Sequence, residues 1–186
     1  MLISTNDFTT GLTIELEDDI YTVENFEHSK SGRGGAFVRT KLKSLTDGHV
    51  INKTFRAGEK VKQARIDKRK MKYLYQDEDR HIFMDIDNYE QTHFMTEDIK
   101  DKLKFLKENL EVQVLFHEDR PIKINLPTTV KLEVVEAPPA VKGDTVSGGT
   151  KEVKVETGYK LKVPLFIEKG TEIVIDTRTG EYQERA

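Results

Sequence analysis

Apolar and polar residues alternate along most of the chain in short runs, separated by turn residues. That period of two predicts β-strands. In residues 1–64, Thr13-Ile14-Glu15-Leu16 alternates, and Asp18-Asp19 turns the chain into Ile20-Tyr21-Thr22-Val23. A strand from Tyr21 to Phe26 leads into the glycine-rich turn Lys30-Ser31-Gly32-Arg33-Gly34-Gly35, and Ala36 to Lys43 forms the returning strand. After the turn Thr46-Asp47-Gly48-His49 comes Val50 to Phe55, and Arg56-Ala57-Gly58-Glu59-Lys60 closes the unit. Five or six short strands in about sixty residues predict a small barrel.

Residues 65–126 repeat the style. Arg65 to Tyr75 is a long strand, Asp77-Glu78-Asp79 a turn, and His81–Asp85 and Tyr89–Phe94 two further strands. Residues 97–109 predict one helix: Thr96 caps it, acids fill its first turn, and Ile99, Leu103 and Leu106 share a face. Glu111–Phe116 and Ile122–Leu126 follow as strands. Three strands, a helix and two strands is the order of a five-stranded OB barrel. Residues 127–186 read as a second such barrel without the long helix. Val130–Val135 is broken by Ala137-Pro138-Pro139, a glycine loop follows at 143–150, and strands run through Val153–Glu156, Leu161–Val163 and Ile173–Asp176. The fold class is therefore all-β, with three small β-barrel domains at 1–64, 65–126 and 127–186. In a row with short linkers, they predict an elongated molecule.

Composition agrees with small cores: of 186 residues, 36% are hydrophobic and 34% charged. The absence of cysteine excludes disulfides and cysteine-based zinc sites, and fits a reducing compartment. The amino terminus has no basic region followed by an apolar run, and no apolar stretch approaches the roughly 18 residues of a membrane span. A soluble cytoplasmic protein is expected. Charge changes the picture more. Residues 28–72 hold fourteen Lys or Arg against Asp47, Glu59 and Asp67, a balance of +11, while the whole chain is −3. Such segregation points to a polyanion contact, nucleic acid above all, although many lysine-rich stretches are simply solvated.

The turn around Arg33 is the candidate binding element. Its glycines admit positive φ and close backbone approach, and they flank one permanently charged guanidinium. A solvated hairpin tip has the same composition. A phosphate loop is excluded, because no Gly-Lys-Ser/Thr follows and a strand comes next. Arg39, Lys41, Lys43, Lys53, Arg56 and Lys60 are the candidate RNA-binding basic face. Tyr73, Tyr75, Phe83 and Tyr89 are of the kind that stack on bases, yet they read as barrel core. No catalytic constellation is visible. His28, His49, His81, His93 and His117 are scattered, Asp85 and Asp87 fit a strand-end turn, and Ser147 is not in Gly-x-Ser-x-Gly. No metal, no cofactor and no enzymatic activity are expected.

Several stretches resemble bacterial elongation factor P, over essentially the whole chain and in one order. They include Thr10-Gly11-Leu12-Thr13-Ile14, Lys30-Ser31-Gly32-Arg33-Gly34, Lys53 to Lys60, Tyr73-Leu74-Tyr75, Phe83-Met84-Asp85 and Leu126-Pro127-Thr128-Thr129-Val130. In the last third, Gly143 to Lys151, Val163 to Ile167 and Ile175 to Tyr182 match as well. The resemblance implies a KOW/SH3-like amino-terminal barrel and two OB barrels in an L shape that mimics transfer RNA. It implies a monomer that binds both subunits of the 70S ribosome between the peptidyl and exit sites. There it steadies peptidyl-tRNA in the P site and relieves stalling at consecutive prolines. The tip residues Lys30, Ser31, Gly32, Arg33, Gly34 and Gly35 would reach the tRNA acceptor end. Gly143, Asp144, Thr145, Ser147, Gly148, Gly149 and Thr150 would face the small subunit and the exit-site codon, with Tyr182 and Arg185 at the carboxy-terminal tip.

One departure concerns modification. Many relatives carry Lys-Pro-Gly-Lys-Gly at the tip and extend its second lysine. Arg33 stands there in this chain and offers no ε-amine, so lysylation is excluded. A subgroup with Lys-Ser-Gly-Arg carries rhamnose on the arginine, which implies rhamnosylation of Arg33 by an arginine rhamnosyltransferase. Gly35 to Leu42 looks more like the lysine-tip branch, and an unmodified Arg33 is the other reading. Two further readings stay open: a paralogue with a different range of stalling motifs, and a general OB-fold RNA-binding protein.

Overall fold

The computed structural model describes residues 1–31, 35–139 and 149–186. Among these residues there are sixteen strands in three sheets and no α-helix. The chain divides into two compact units, Met1–Lys68 with Leu115–Lys123 and Arg69–Val114 with Ile124–Ala186. All-β architecture is thus as the alternation predicts.

In the first sheet, β1 (Leu2–Ser4), β2 (Thr13–Leu16), β3 (Asp19–Ser31), β4 (Gly35–Ser44), β5 (Val50–Arg56) and β6 (Lys60–Gln63) run in the order β1-β6-β2-β3-β4-β5. Strand β4 shows why this sequence forms a sheet. Val38, Thr40, Leu42 and Ser44 point inward, and the alternating Arg39, Lys41 and Lys43 stay exposed. Ile14, Val23, Val38, Leu42, Phe8 and Phe55 make the core, with the two phenylalanines edge to face at 5.7 Å. Leu16 pairs with Asp19, so Glu17 and Asp18 form the two-residue turn, both at positive φ. Strand β1 is too short to show alternation, and β6 follows directly on the turn that closes the unit. They are made by pairing, Leu2 with Lys62 and Ser4 with Lys60. Thr5, fully buried, seals that junction: its N–H donates to the Glu59 carbonyl at 2.9 Å and its hydroxyl to the Arg56 carbonyl at 2.8 Å.

The second sheet contains β7 (Asp67–Asp77), β8 (Arg80–Asp85), β9 (Gln91–Met95), β10 (Glu111–His117) and β11 (Arg120–Asn125), in the order β11-β10-β7-β8-β9. The helix expected over 97–109 is not an α-helix. Two 3-10 turns, Thr96–Ile99 and Leu103–Phe105, stand in its place. Lys102, Phe105, Leu106 and Leu110 each donate to the carbonyl three residues back. The physical reason is burial in several directions. Ile99, Phe105 and Leu106 are all buried, and Phe105 joins the core of the third sheet, which one straight apolar face could not deliver. The far end is drawn onto β7, where Asn109 donates to the Tyr73 carbonyl and Tyr73 to the Leu110 carbonyl. Thr96 caps nothing; its hydroxyl donates to the Asp79 carbonyl at 3.2 Å.

That hydroxyl fixes a buried chain. His81 is buried, its Nε2 3.2 Å from Thr96 Oγ1 and its Nδ1 3.2 Å from the Tyr73 hydroxyl. With Thr96 donating to Asp79, the ring donates from Nε2 and accepts from Tyr73 at Nδ1, so the neutral tautomer satisfies every group. Burial lowers the His81 pKa. The unfolded chain therefore binds the extra proton more readily, and stability falls as pH drops below the ordinary histidine value of about 6.5 toward the folded value. Urea midpoints measured between pH 7.5 and 5 should fall for the native chain and fall less for His81→Gln. Equal slopes would contradict the assignment.

The third sheet has β12 (Thr129–Glu136), β13 (Thr150–Val155), β14 (Lys160–Pro164), β15 (Glu172–Asp176) and β16 (Tyr182–Arg185), in the order β14-β13-β12-β15-β16. Val130, Leu132, Val134, Val153, Val155, Leu161, Val163, Ile173 and Ile175 form its core, with Phe105 among them. Phe105 meets Tyr159 edge to face at 5.6 Å, Lys104 Nζ lies 5.0 and 5.1 Å from the two ring centroids, and Thr157 donates to the Lys104 carbonyl at 2.7 Å. The turn before β16 is held by Asp176, whose carboxylate accepts from the Arg178 side chain and backbone N–H; these bonds lower its pKa.

Candidate nucleic-acid interface

The β3–β4 hairpin is the longest ladder in the first unit. Its register runs from Tyr21 opposite Ser44 to Lys30 opposite Ala36 and Ser31 opposite Gly35. The turn expected over 30–35 is therefore shorter than its composition indicates: Lys30, Ser31 and Gly35 are strand residues. Gly32, Arg33 and Gly34 join them and lie outside the described residues. Gly35 has φ +82, so a side chain there is strained although, among the described residues, nothing stands within 4 Å of its Cβ position. Strand β5 supports β4 only as far as Phe37 opposite Arg56, and the last two pairs of the hairpin extend beyond it.

The hairpin's base is pinned. The Tyr21 hydroxyl lies 3.1 Å from His49 Nε2, and His49 Nδ1 lies 2.5 Å from Asp47. The His49 backbone N–H and then its ring hold the Asp47 carboxyl down to about 2. A bulge at Glu24, between the Val23–Leu42 and Asn25–Lys41 pairs, bends β3 midway.

Register sorts the predicted basic residues. Arg39, Lys41 and Lys43 share the outward face of β4, and Arg56 joins them opposite Phe37. The Arg39 guanidinium sits 5.2 Å from the Phe37 ring centroid. Lys53 does not belong to this file. It pairs with the inward Thr40, lies 5.9 Å from the Phe55 ring and forms an ion pair with Glu17 at 2.8 Å, which lowers the Glu17 pKa. Lys60 opens β6 opposite Ser4, in a different strand pair. Glu24 is the site residue that sequence reasoning passed over. It lies 3.1 Å from Lys41 and 3.9 Å from Lys43 across the strand pair. Only the cross-strand register could have revealed that acid.

The other predicted sites are less complete. Gly143, Asp144, Thr145, Ser147 and Gly148 lie outside the described residues; Gly149 precedes β13, which Thr150 opens opposite Pro164. Lys151 Nζ donates to the Pro138 carbonyl at 3.1 Å, tying the two ends of that loop. Tyr182 is not a free tip residue: it pairs with Ile175 and packs on the core, while Arg185, opposite Ile173, is exposed. Two stacking candidates, Tyr73 and Phe83, are core as expected, but Tyr75 and Tyr89 are 49% and 70% exposed. Asp85 is a turn acceptor for the Asp87 and Asn88 N–H groups. Among the described residues, no cluster of His, Cys, Asp and Glu could hold a metal. No helix among them is long and apolar enough to cross a membrane.

Sheets and hairpin together define an all-β protein of the KOW-like and OB type. Family models described as the elongation factor P KOW-like domain, its OB domain and its C-terminal domain match residues 4–61, 66–124 and 130–185. Elongation factor P of Moorella thermoacetica is 54% identical over 185 residues, 100% of either chain. That of Pelotomaculum thermopropionicum is 50% identical over 184 residues, 99% of this chain and 100% of its own. Among solved structures, eukaryotic translation initiation factor 5A from Methanococcus jannaschii superposes with a TM-score of 0.55 at 19% identity, covering 68% of this chain and 92% of its own. An initiation factor 5A family protein from Naegleria fowleri gives 0.53 at 11% identity, covering 68% and 98%. At those identities the two structures show the fold alone. The chain belongs to the elongation factor P family.

Proposed function

We propose that this chain binds the 70S ribosome between the P and E sites and touches the acceptor end of peptidyl-tRNA with Arg33. In that position it stimulates peptide-bond formation where consecutive prolines stall synthesis. The observation that supports this reading is the hairpin. Its ladder is continuous to Ser31 and Gly35, and Arg39, Lys41, Lys43 and Arg56 file along one exposed face. A sheet face that carries a file of exposed cations suits a phosphate backbone. The protein acts as a monomeric cytoplasmic binding factor rather than an enzyme, with three modules at 1–64, 65–126 and 127–186. Its 143–150 loop faces the small subunit and the exit-site codon. Arg33 is the position for rhamnose from an arginine rhamnosyltransferase. Peptide mass spectrometry of protein from its native host should show one added deoxyhexose on the Arg33 peptide; an unmodified peptide refutes the modification and leaves the binding role intact.

The test of the function is Pro-Pro-Pro synthesis by purified ribosomes, with and without the protein. Faster synthesis of the proline message and no effect on a proline-free message are expected. A protein that binds ribosomes but leaves proline synthesis unchanged would overturn it. Glu24 supplies a second test. It shares Lys41 and Lys43 with any bound phosphate, and an exposed pair of this kind contributes at most about 1 kcal/mol. Glu24→Gln should therefore tighten tRNA binding up to about fivefold and steepen its salt dependence. Weaker binding, read by fluorescence anisotropy, would show that phosphate does not approach this face.

A further inference from the structure

The β7–β8–β9 ladder has an outward face that neither the core nor the hairpin reading uses. Its rows are Lys72–Met84–Gln91, Tyr75–Ile82–His93 and Asp77–Arg80–Met95. A bulge creates it. Tyr73 pairs with the inward Phe83, and the extra residue Leu74 puts Tyr75 opposite Ile82, on the other side of the sheet. Without the bulge, strict alternation would turn Tyr75 inward beside Tyr73. Instead Tyr75 is 49% exposed opposite half-buried Ile82, with half-buried Met84 and exposed Met95 in the adjoining rows.

Charge says what such a face would hold. Lys70 and Lys72, on the same side of β7, make no ion pair among the described residues. The face's one acid in these rows, Asp77, is taken by Arg80 at 2.5 Å. The connection from β8 to β9, at the Lys72 end, carries Tyr89 at φ +63, 70% exposed. That conformation is costly for a bulky side chain. Free cations on the same face as an outward aromatic residue, with apolar residues in the rows around it, match a polyanion whose units have flat faces. From this juxtaposition we infer that the face is a single-stranded RNA stacking surface: Tyr75 is the platform for a base, and Lys70 and Lys72 hold the flanking phosphates. It uses none of the hairpin residues, so it adds a second RNA contact to the proposed function.

The experiment is fluorescence anisotropy of the full chain with a labelled ten-nucleotide oligo(U), in a background of Arg39→Ala and Lys41→Ala that weakens the hairpin. Tyr75→Ala should reduce affinity about five- to hundredfold, and Tyr75→Phe, which keeps the ring, should bind as the parent does. Lys70→Gln with Lys72→Gln should lower the slope of log affinity against log salt by about 1.4, two single-strand phosphate contacts. The inference fails if the parent binds no oligo(U), if Tyr75→Ala binds unchanged, or if Tyr75→Phe loses as much as Tyr75→Ala. Loss of ribosome binding by Tyr75→Ala without any RNA binding would mark a protein contact instead.

Discussion

Arg33→Ala is expected to remove most of the stimulation of proline-proline bond formation while leaving the thermal midpoint unchanged. A hydrogen bond to a charged group contributes about 1.5–3 kcal/mol, so a tenfold or greater rise in the concentration needed for half-stimulation follows. Arg33→Lys keeps a charge but loses the planar fork, and should fall between the two. The midpoint is the internal control. The hairpin ladder on either side, Lys30 with Ala36 and Ser31 with Gly35, is made by strand pairing. Stimulation by Arg33→Ala equal to the native chain in reconstituted synthesis would remove Arg33 from the mechanism, and the paralogue reading would then be the one to pursue.

Gly180→Ala should cost about 2–5 kcal/mol of stability in the second unit. Gly180 is buried at φ +76, and a Cβ there would lie 2.5 Å from the Tyr159 hydroxyl oxygen, which donates to the Gly180 carbonyl at 3.0 Å. A left-handed non-glycine residue costs about 1–2 kcal/mol and forced packing about 1–3. The two contributions can be separated. Tyr159→Phe removes the atom that Cβ would strike, so Gly180→Ala in that background should cost only the backbone part, about 1–2 kcal/mol. The double-mutant cycle, read by urea denaturation and circular dichroism, should give a coupling of about 1–3 kcal/mol. No coupling would mean that the ring moves aside freely.

Strand existence and most strand bounds were legible because each exposed strand announces itself by alternation, as β4 does from Val38 to Ser44. Strands β1 and β6 were not: β1 is only three residues long, and their existence rests on pairing, β1 with β6 and β6 with β2 as well. The 97–109 stretch misled because Ile99, Leu103 and Leu106 have helical spacing, whereas the chain buries Ile99, Phe105 and Leu106 from separate 3-10 turns, with Phe105 in the third sheet's core. The candidate site divides the same way. Composition alone marked the cationic block and the glycines around Arg33.

The sequence by itself determined the fold class and the family and singled out the candidate cations, because all three depend on residue type and local order. Tertiary structure decided which of those residues share a face. Cross-strand register put the acid Glu24 beside Lys41 and Lys43 and turned Lys53 inward toward Glu17, and a bulge at Leu74 turned Tyr75 outward. In a sheet, one inserted residue exchanges the two faces for everything beyond it, and that insertion leaves no mark in the local pattern.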